Sequence, residues 1–389
     1  MKNLYQGDRG ILVSYMQLAL KRAGYPLLVD GIFGTNTCRA LADFLQTDRT
    51  PDRICVVDRS VWEKLLPYLR GYATEEGENR ILFEDPVTSV EVPYTSLLTA
   101  AVIDGILARY PFLKSGEIGK SVMGKPISYL EIGNGGKEVF YNASFHANES
   151  ITTPVLLKFA EEYAQAYEKG TALYGVPAAE LFEEYRLFLV SLVNPDGADM
   201  VNGLLTDGGY YRRAQQIASD YPAIPFPAGW KANIEGIDLN LQFPAGWENA
   251  KRIKYAQGYT KPAPRDYVGE VPLTAPESEA VYAFTRSHDF RLILAYHTQG
   301  EVIYWKYLDY EPAHSYEIAQ YFGRVSGYTV EQTPTQSGYA GYKDWFIQEY
   351  DRPGYTIETG MGENPLPMSD FAGIYRDNAG ILLGGMTQI

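Results

Sequence analysis

Four apolar, strand-like runs constrain this chain more than any other feature of its sequence: EVFYNASF (138–145), YRLFLVSLV (185–193), RLILAYH (291–297) and GYTIET (354–359). Runs of this length that are apolar at nearly every position suit strands buried on both faces. The first is followed by PVLLKFAEEYAQAY (154–167), whose apolar residues recur at helical spacing. Strand patterns alternating with helical ones predict an α/β domain with a mixed, largely parallel sheet flanked by helices. No apolar run approaches the ~18 residues of a membrane-spanning helix, so no membrane partner is expected.

The first seventy residues follow a different pattern. Ile11, Met16, Leu18 and Leu20, then Leu41, Phe44 and Leu45, recur at helical spacing, and a third helix is predicted over Ser60 to Leu69. Between them lies VDGIFGTNT, where Gly31 and Gly34 supply turn geometry and Thr35 or Asn36 can cap the next helix. The expected organisation is a small three-helix domain over 1–70, a polar linker over 71–90 and the α/β domain over 91–389. Ten Lys/Arg stand against seven Asp/Glu in the first seventy residues, whereas the whole chain carries a formal net charge of −14. That balance argues against a nucleic-acid partner, which needs clustered cations. Two cysteines, Cys38 and Cys55, are too few for a disulfide framework or a zinc knuckle and are compatible with a reducing compartment. Asp8 and Arg9 interrupt the stretch where a secretory signal would be apolar, so cytoplasmic synthesis without a signal peptide is expected.

The four histidines, His146, His288, His297 and His314, make metal hypotheses few. Two H-x-x-E pairs occur. His314 and Glu317 lie in the amphipathic pattern EPAHSYEIAQYFGRV, whose polar face holds both in solvent. His146 and Glu149 instead follow a buried-strand pattern and precede a helix, and ligands gather at the C-terminal ends of strands in open α/β sheets. A catalytic zinc needs three N or O ligands and an open position. His297, which closes RLILAY, should project at the same sheet edge and is the third ligand expected. Glu358 ends another strand pattern there, and a carboxylate so placed is either exposed or faces a metal.

Several segments, in order, resemble the zinc carboxypeptidases from about residue 90 to the end: GKSVMGKPI (Gly119–Ile127), HANE (His146–Glu149), NPDG (Asn194–Gly197), GIDLN (Gly236–Asn240), His297 and Glu358. The resemblance implies one Zn²⁺ per chain held by His146, Glu149 and His297, with Glu358 as general base. It also places an oxyanion-stabilising arginine near YYRR, with Arg212 first and Arg213 in reserve. Asn240 would bind substrate, and Tyr339, Tyr342 and Asp344 of SGYAGYKDW would line the specificity pocket. The N-terminal pattern GDRGILVSYMQLALKRAGY…VDGIFGTNTCRALADFLQ resembles a peptidoglycan-binding domain.

One departure bears on substrate. The family's carboxypeptidases carry an Asn-Arg pair whose arginine grips the free peptide C-terminus, whereas this chain has Asn240-Leu241. With the wall-binding resemblance, this is similar to the bacterial branch that cleaves the γ-D-glutamyl–diaminopimelate bond of murein stem peptides, making muropeptides the expected partner. Access to wall material would then come by recycling, lysis or sporulation. A carboxypeptidase acting on free peptides and a non-catalytic wall-binding protein are the alternatives.

Overall fold

The computed structural model describes residues 3–46, 55–69 and 86–389. Most of the expected linker, 71–85, lies outside the described residues. The chain divides into two compact units, Met1–Pro93 with Leu97–Lys114, and Tyr94–Ser96 with Ser115–Ile389.

In the first unit a two-residue strand pair, β1 (Leu4–Tyr5) and β2 (Val56–Val57), accompanies α1 (Ile11–Arg22), α2 (Thr35–Phe44), α3 (Arg59–Leu65) and most of α4 (Ser96–Arg109). The VDGIFGTNT turn is held by a buried amide. Gln17 donates to Asp30 Oδ1, Ile32 O and Thr37 Oγ1 at 2.8–3.0 Å and accepts from the N–H groups of Asp30 and Gly31. Gly31 has φ +69, which only a residue without a Cβ adopts without strain. The cap expected at Thr35 or Asn36 falls on Gly34, and both polar residues lie inside the first turn of α2. Cys38 and Cys55 are joined in a disulfide, with Cα atoms 5.8 Å apart. This corrects the reading of these cysteines. A count of two says nothing about proximity, and the pair gives no argument for a reducing compartment.

The second unit is built on an eight-stranded sheet, in which the strands are β3 (Lys114–Lys120), β4 (Pro126–Ile132), β5 (Lys137–Ala143), β8 (Tyr185–Val190), β9 (Leu292–His297), β10 (Val302–Tyr304), β11 (Thr329–Glu331) and β12 (Gly354–Glu358). Their order is β11-β10-β12-β9-β5-β8-β4-β3. The four central strands, β12, β9, β5 and β8, run parallel, whereas β10 and β4 pair antiparallel with β12 and β8. The expected mixed, largely parallel sheet is therefore the fold. A hairpin of β6 (Ala172–Leu173) and β7 (Val176–Pro177) stands apart from it. The helices are α5 (Thr152–Glu168), α6 (Ala178–Glu184), α7 (Pro195–Val201), α8 (Gly208–Ser219), α9 (Trp247–Ala256), α10 (Pro276–Arg286), α11 (Ser315–Ser326), α12 (Tyr342–Tyr350) and α13 (Phe371–Thr387).

Both faces of the central strands are covered, which is why their sequences show no polar alternation: every residue of β9 is buried. On one face Phe140, Ile293 and Ala295 pack with Phe145, Phe243, Phe290, Tyr342 and Trp345. On the other, Tyr141 donates to Leu382 O of α13 at 2.8 Å. There α13 comes so close that a Cβ on Gly385 would lie 2.3 Å from the Tyr141 hydroxyl, so only glycine fits.

Candidate active site

The C-terminal ends of three adjacent parallel strands bring the site together. His297 closes β9 and lies directly across the ladder from Glu358, which closes β12. His146 stands three residues beyond the end of β5, the neighbour of β9 on its other side. The loop that carries it is fixed by its own polar groups. Ser144 and Thr152 hydroxyls both reach Glu149 O, and Ala147 N–H donates to Lys231 O at 3.0 Å. The loops after β9 and β12 are tied by a reciprocal pair: Thr298 Oγ1 donates to Asn364 Oδ1 at 2.7 Å, and Asn364 Nδ2 donates to Thr298 O at 3.1 Å.

His146, Glu149 and His297 are the group of donors, among the described residues, placed to hold a metal, with one ligand atom from each lying within 4.8 Å of the others. His146 Nδ1 is 2.9 Å from Glu149 Oε1 and 3.2 Å from His297 Nδ1, and His297 Nδ1 is 3.0 Å from Glu149 Oε2. Tetrahedral bonds of about 2.1 Å imply ligand–ligand spacings of about 3.4 Å, close to these. Two imidazole nitrogens and one carboxylate oxygen also form the donor set of a catalytic zinc site. The residues present therefore fit the ion.

Asp238 orients His146 from behind. Its Oδ1 lies 3.2 Å from His146 Nε2, and the same carboxylate accepts from Asn240 N–H and Asp266 N–H. A carboxylate on Nε2 favours the tautomer whose Nδ1 lone pair faces the cluster. Burial opposes ionisation of Asp238, but His146 and Lys231 outweigh it and hold the carboxyl well below its usual range. Burial likewise opposes charge on His146, yet Glu149 and Asp238 prevail over Lys231 and raise the imidazole to about 9. Glu149 is pushed up by burial but held low by His146 and Lys231, so it stays ionised. Glu358 goes the other way, raised by burial and by the Glu149 carboxylate against the pull of His297 and Lys231.

Not every expected residue arrives. Arg212 and Arg213 are exposed on α8, which buries Ala214, Ile217 and Ala218 instead, and neither lines the site. The cation beside the cluster is Lys231, whose Nζ lies 3.0 Å from Glu149 Oε1. Burial disfavours its charge, but Glu149, Asp238 and Glu358 raise its pKa, so it stays protonated. Tyr342 is fully buried, its hydroxyl bonded to Thr285 Oγ1 at 2.9 Å. Asp344 is buried against Lys343 Nζ at 2.6 Å. Tyr339 packs on Tyr307 and against Gly246. Tyr342 and Asp344 of SGYAGYKDW are thus buried in the packing, while Tyr339 is half-buried. Asn240 does come close: its Nδ2 is 3.5 Å from His297 Nε2 and its Oδ1 accepts Tyr342 N–H. Lys231 and Asp238 are the functional positions that sequence reasoning missed. The GIDLN segment had flagged the second without giving it a role.

A cavity of about 500 Å³ lies beside this cluster, lined by Asn148, Lys231, Arg265, Thr298, Tyr304, Glu358 and Glu363 among others. The zinc carboxypeptidase (peptidase M14) family model matches residues 99–379. The chain belongs to the zinc carboxypeptidase family. It is a metallopeptidase, and zinc is the family's metal. The catalytic region of this zinc carboxypeptidase is 47% identical, over 71% of this chain and 68% of the relative, to the gamma-D-glutamyl-L-diamino acid endopeptidase 1 of Lysinibacillus sphaericus. It is 43% identical to the uncharacterised protein YqgT of Bacillus subtilis (strain 168), over 72% of this chain and 73% of that one. The carboxypeptidase A of Helicoverpa armigera shares the fold with a TM-score of 0.57 at 20% identity, covering 85% of this chain and 81% of that one. No helix among the described residues is long and apolar enough to cross a membrane.

The other motifs of the zinc carboxypeptidase resemblance are scaffolding. Asn194 caps α7 through Gly197 N–H and donates to Phe145 O and Ala232 O, stitching the His146 loop to the Lys231 segment. In GKSVMGKPI, Met123 N–H donates to Asp196 and Lys125 pairs with Asp196 and Asp199 at 2.8–3.0 Å. Glu277 completes this support, accepting from Val122 N–H and Asn233 Nδ2 at 3.1 Å while fully buried. Burial raises its pKa to about 7, outweighing these hydrogen bonds. A raised carboxyl pKa means that its contribution to stability is fully present below the unfolded value near 4.5 and is lost as pH rises through about 7. That loss amounts to about 3 kcal/mol at 1.36 kcal/mol per unit. Glu277→Gln should therefore flatten the fall in stability between pH 5 and 8, measured by urea denaturation of both proteins. An unchanged pH slope would contradict the assignment.

Proposed function

We propose that this peptidase hydrolyses the amide between the γ-carboxyl of D-glutamate and the amino group of a diamino acid, diaminopimelate in murein stem peptides. The observation that carries this reading is Leu241. It is buried in an apolar cluster with Trp247, Ala250, Val268 and Ala340, so the position following Asn240 offers no cation to a peptide C-terminus. The name of the Lysinibacillus sphaericus relative supports the same bond.

His146, Glu149 and His297 would hold zinc, which when bound polarises a carbonyl and lowers the pKa of water. Glu358 would take the proton of the attacking water and return it to the leaving amine. Its raised pKa brings it towards the working pH, where a base is both ionised and strong enough. Lys231 would meet the negative charge that develops on the carbonyl oxygen, and a donor in that role is worth on the order of 10²–10³ in rate. Glu363, Thr298 and Asn364 supply acidic and polar wall to the same cavity, suited to the charged far end of a diamino acid.

The first unit has a groove of about 300 Å³, lined by Tyr25, Asp30, Asn36 and Arg39 among others, which would hold wall material and raise the local substrate concentration. Stem peptides with free and amidated C-termini test the reading of the bond. Both should be cut between glutamate and the diamino acid within a few-fold of each other, and strict dependence on a free C-terminus would reject the Leu241 argument.

A further inference from the structure

Of the residues named on the walls of the central cavity, Lys231 and Arg265 are the cations, and they are held side by side. Lys231 N–H and Ala232 N–H both donate to Pro264 O, at 2.8 and 2.9 Å, fixing the backbone before Arg265 against the backbone at Lys231. On its other side, Asp266 N–H donates to Asp238 Oδ2, the carboxylate that also holds His146. Asp266 has φ +66, an uncommon conformation for a residue with a side chain, kept here by bonds on both flanks. These bonds set the position of Arg265 relative to the metal ligands.

The charge of Arg265 is only partly answered. Its Nε donates to Asp266 Oδ2 at 2.7 Å, but Asp266 is also paired with Lys254 through Oδ1. Among the described residues the hydrogen bonds of the Arg265 guanidinium end at Nε, and its side chain is 44% exposed. A guanidinium whose terminal nitrogens are free in a cavity is suited to a bidentate grip on a carboxylate. Lys231 by contrast is spent on Glu149 and the reacting carbonyl, and Leu241 cannot bind an anion.

We propose that Arg265 is the specificity residue that binds a carboxylate standing a few bonds from the scissile carbonyl, the free α-carboxylate of the γ-linked glutamyl residue. This deepens the γ-glutamyl reading above and rests on it. An α-amidated glutamyl residue, isoglutamine, would lose that grip while keeping the scissile bond unchanged.

The test compares cleavage of two stem peptides, one with D-glutamate and one with D-isoglutamine, by the zinc-loaded full chain and its Arg265→Met and Arg265→Lys variants. Zinc content is measured for each. The native protein should favour the acid by on the order of 10² in kcat/KM. Arg265→Met should bring that ratio to within a few-fold of one with zinc retained, and Arg265→Lys should regain part of it. An equal preference in native and Met variants, or none in the native protein, would overturn the inference alone. Cleavage of neither peptide by the native protein would overturn the γ-glutamyl reading and the inference with it.

Discussion

Replacing Glu358 with Gln should leave zinc bound and lower kcat by on the order of 10³, the share of a rate carried by a well-placed general base. The substitution removes a proton acceptor while keeping the shape of the side chain. Glu358 ends β12, opposite His297, and lines the cavity beside the cluster without being one of the clustered donors. Burial and the Glu149 carboxylate both push its pKa upward, which makes it a stronger base than a surface glutamate. Metal content by atomic emission and turnover of a stem peptide, measured on the same preparation, check this. A fully active Glu358→Gln protein would remove Glu358 from the chemistry.

Replacing His146 with Ala has the larger effect, since it acts on the metal itself. The variant should purify without stoichiometric zinc and show activity at background. Two of three ligands remain, but Asp238 loses its imidazole partner and keeps only backbone N–H donors, while Glu149 is left with His297 and Lys231. An uncompensated buried charge costs several kcal/mol, so the same variant should also unfold at lower denaturant. Zinc bound at one per chain in His146→Ala would contradict the ligand assignment.

The parts of the molecule that were legible in the sequence are those where one local pattern has one physical meaning. Apolar runs without polar alternation became the buried central strands, and His297 and Glu358, which close β9 and β12, lie at the same sheet edge as the loop that carries His146 and Glu149. His314 and Glu317 likewise lie exposed at the start of α11, as their amphipathic pattern implied. Residues whose role depends on a neighbour far along the chain were illegible. Lys231 lies in GWKAN, which has no periodicity of its own, and reaches Glu149 because Asn194 and Pro264 hold its backbone there. Arg212 offered a charge at a plausible point in the chain, but α8 turns its small apolar face inward and leaves the arginine in solvent. The family resemblance puts Tyr342 and Asp344 on the wall of the specificity pocket, whereas the first is hydrogen-bonded to Thr285 and the second ion-paired with Lys343 inside the packing. The Cys38–Cys55 disulfide is illegible for the same reason: proximity in space leaves no trace in a count.

The most direct measurement of the central claim is an anomalous difference map at the zinc absorption edge, from crystals of the native protein grown with zinc. One peak should lie about 2.1 Å from His146 Nδ1, His297 Nδ1 and a Glu149 oxygen. A map with zinc peaks only elsewhere, and none among these three side chains, would contradict the account.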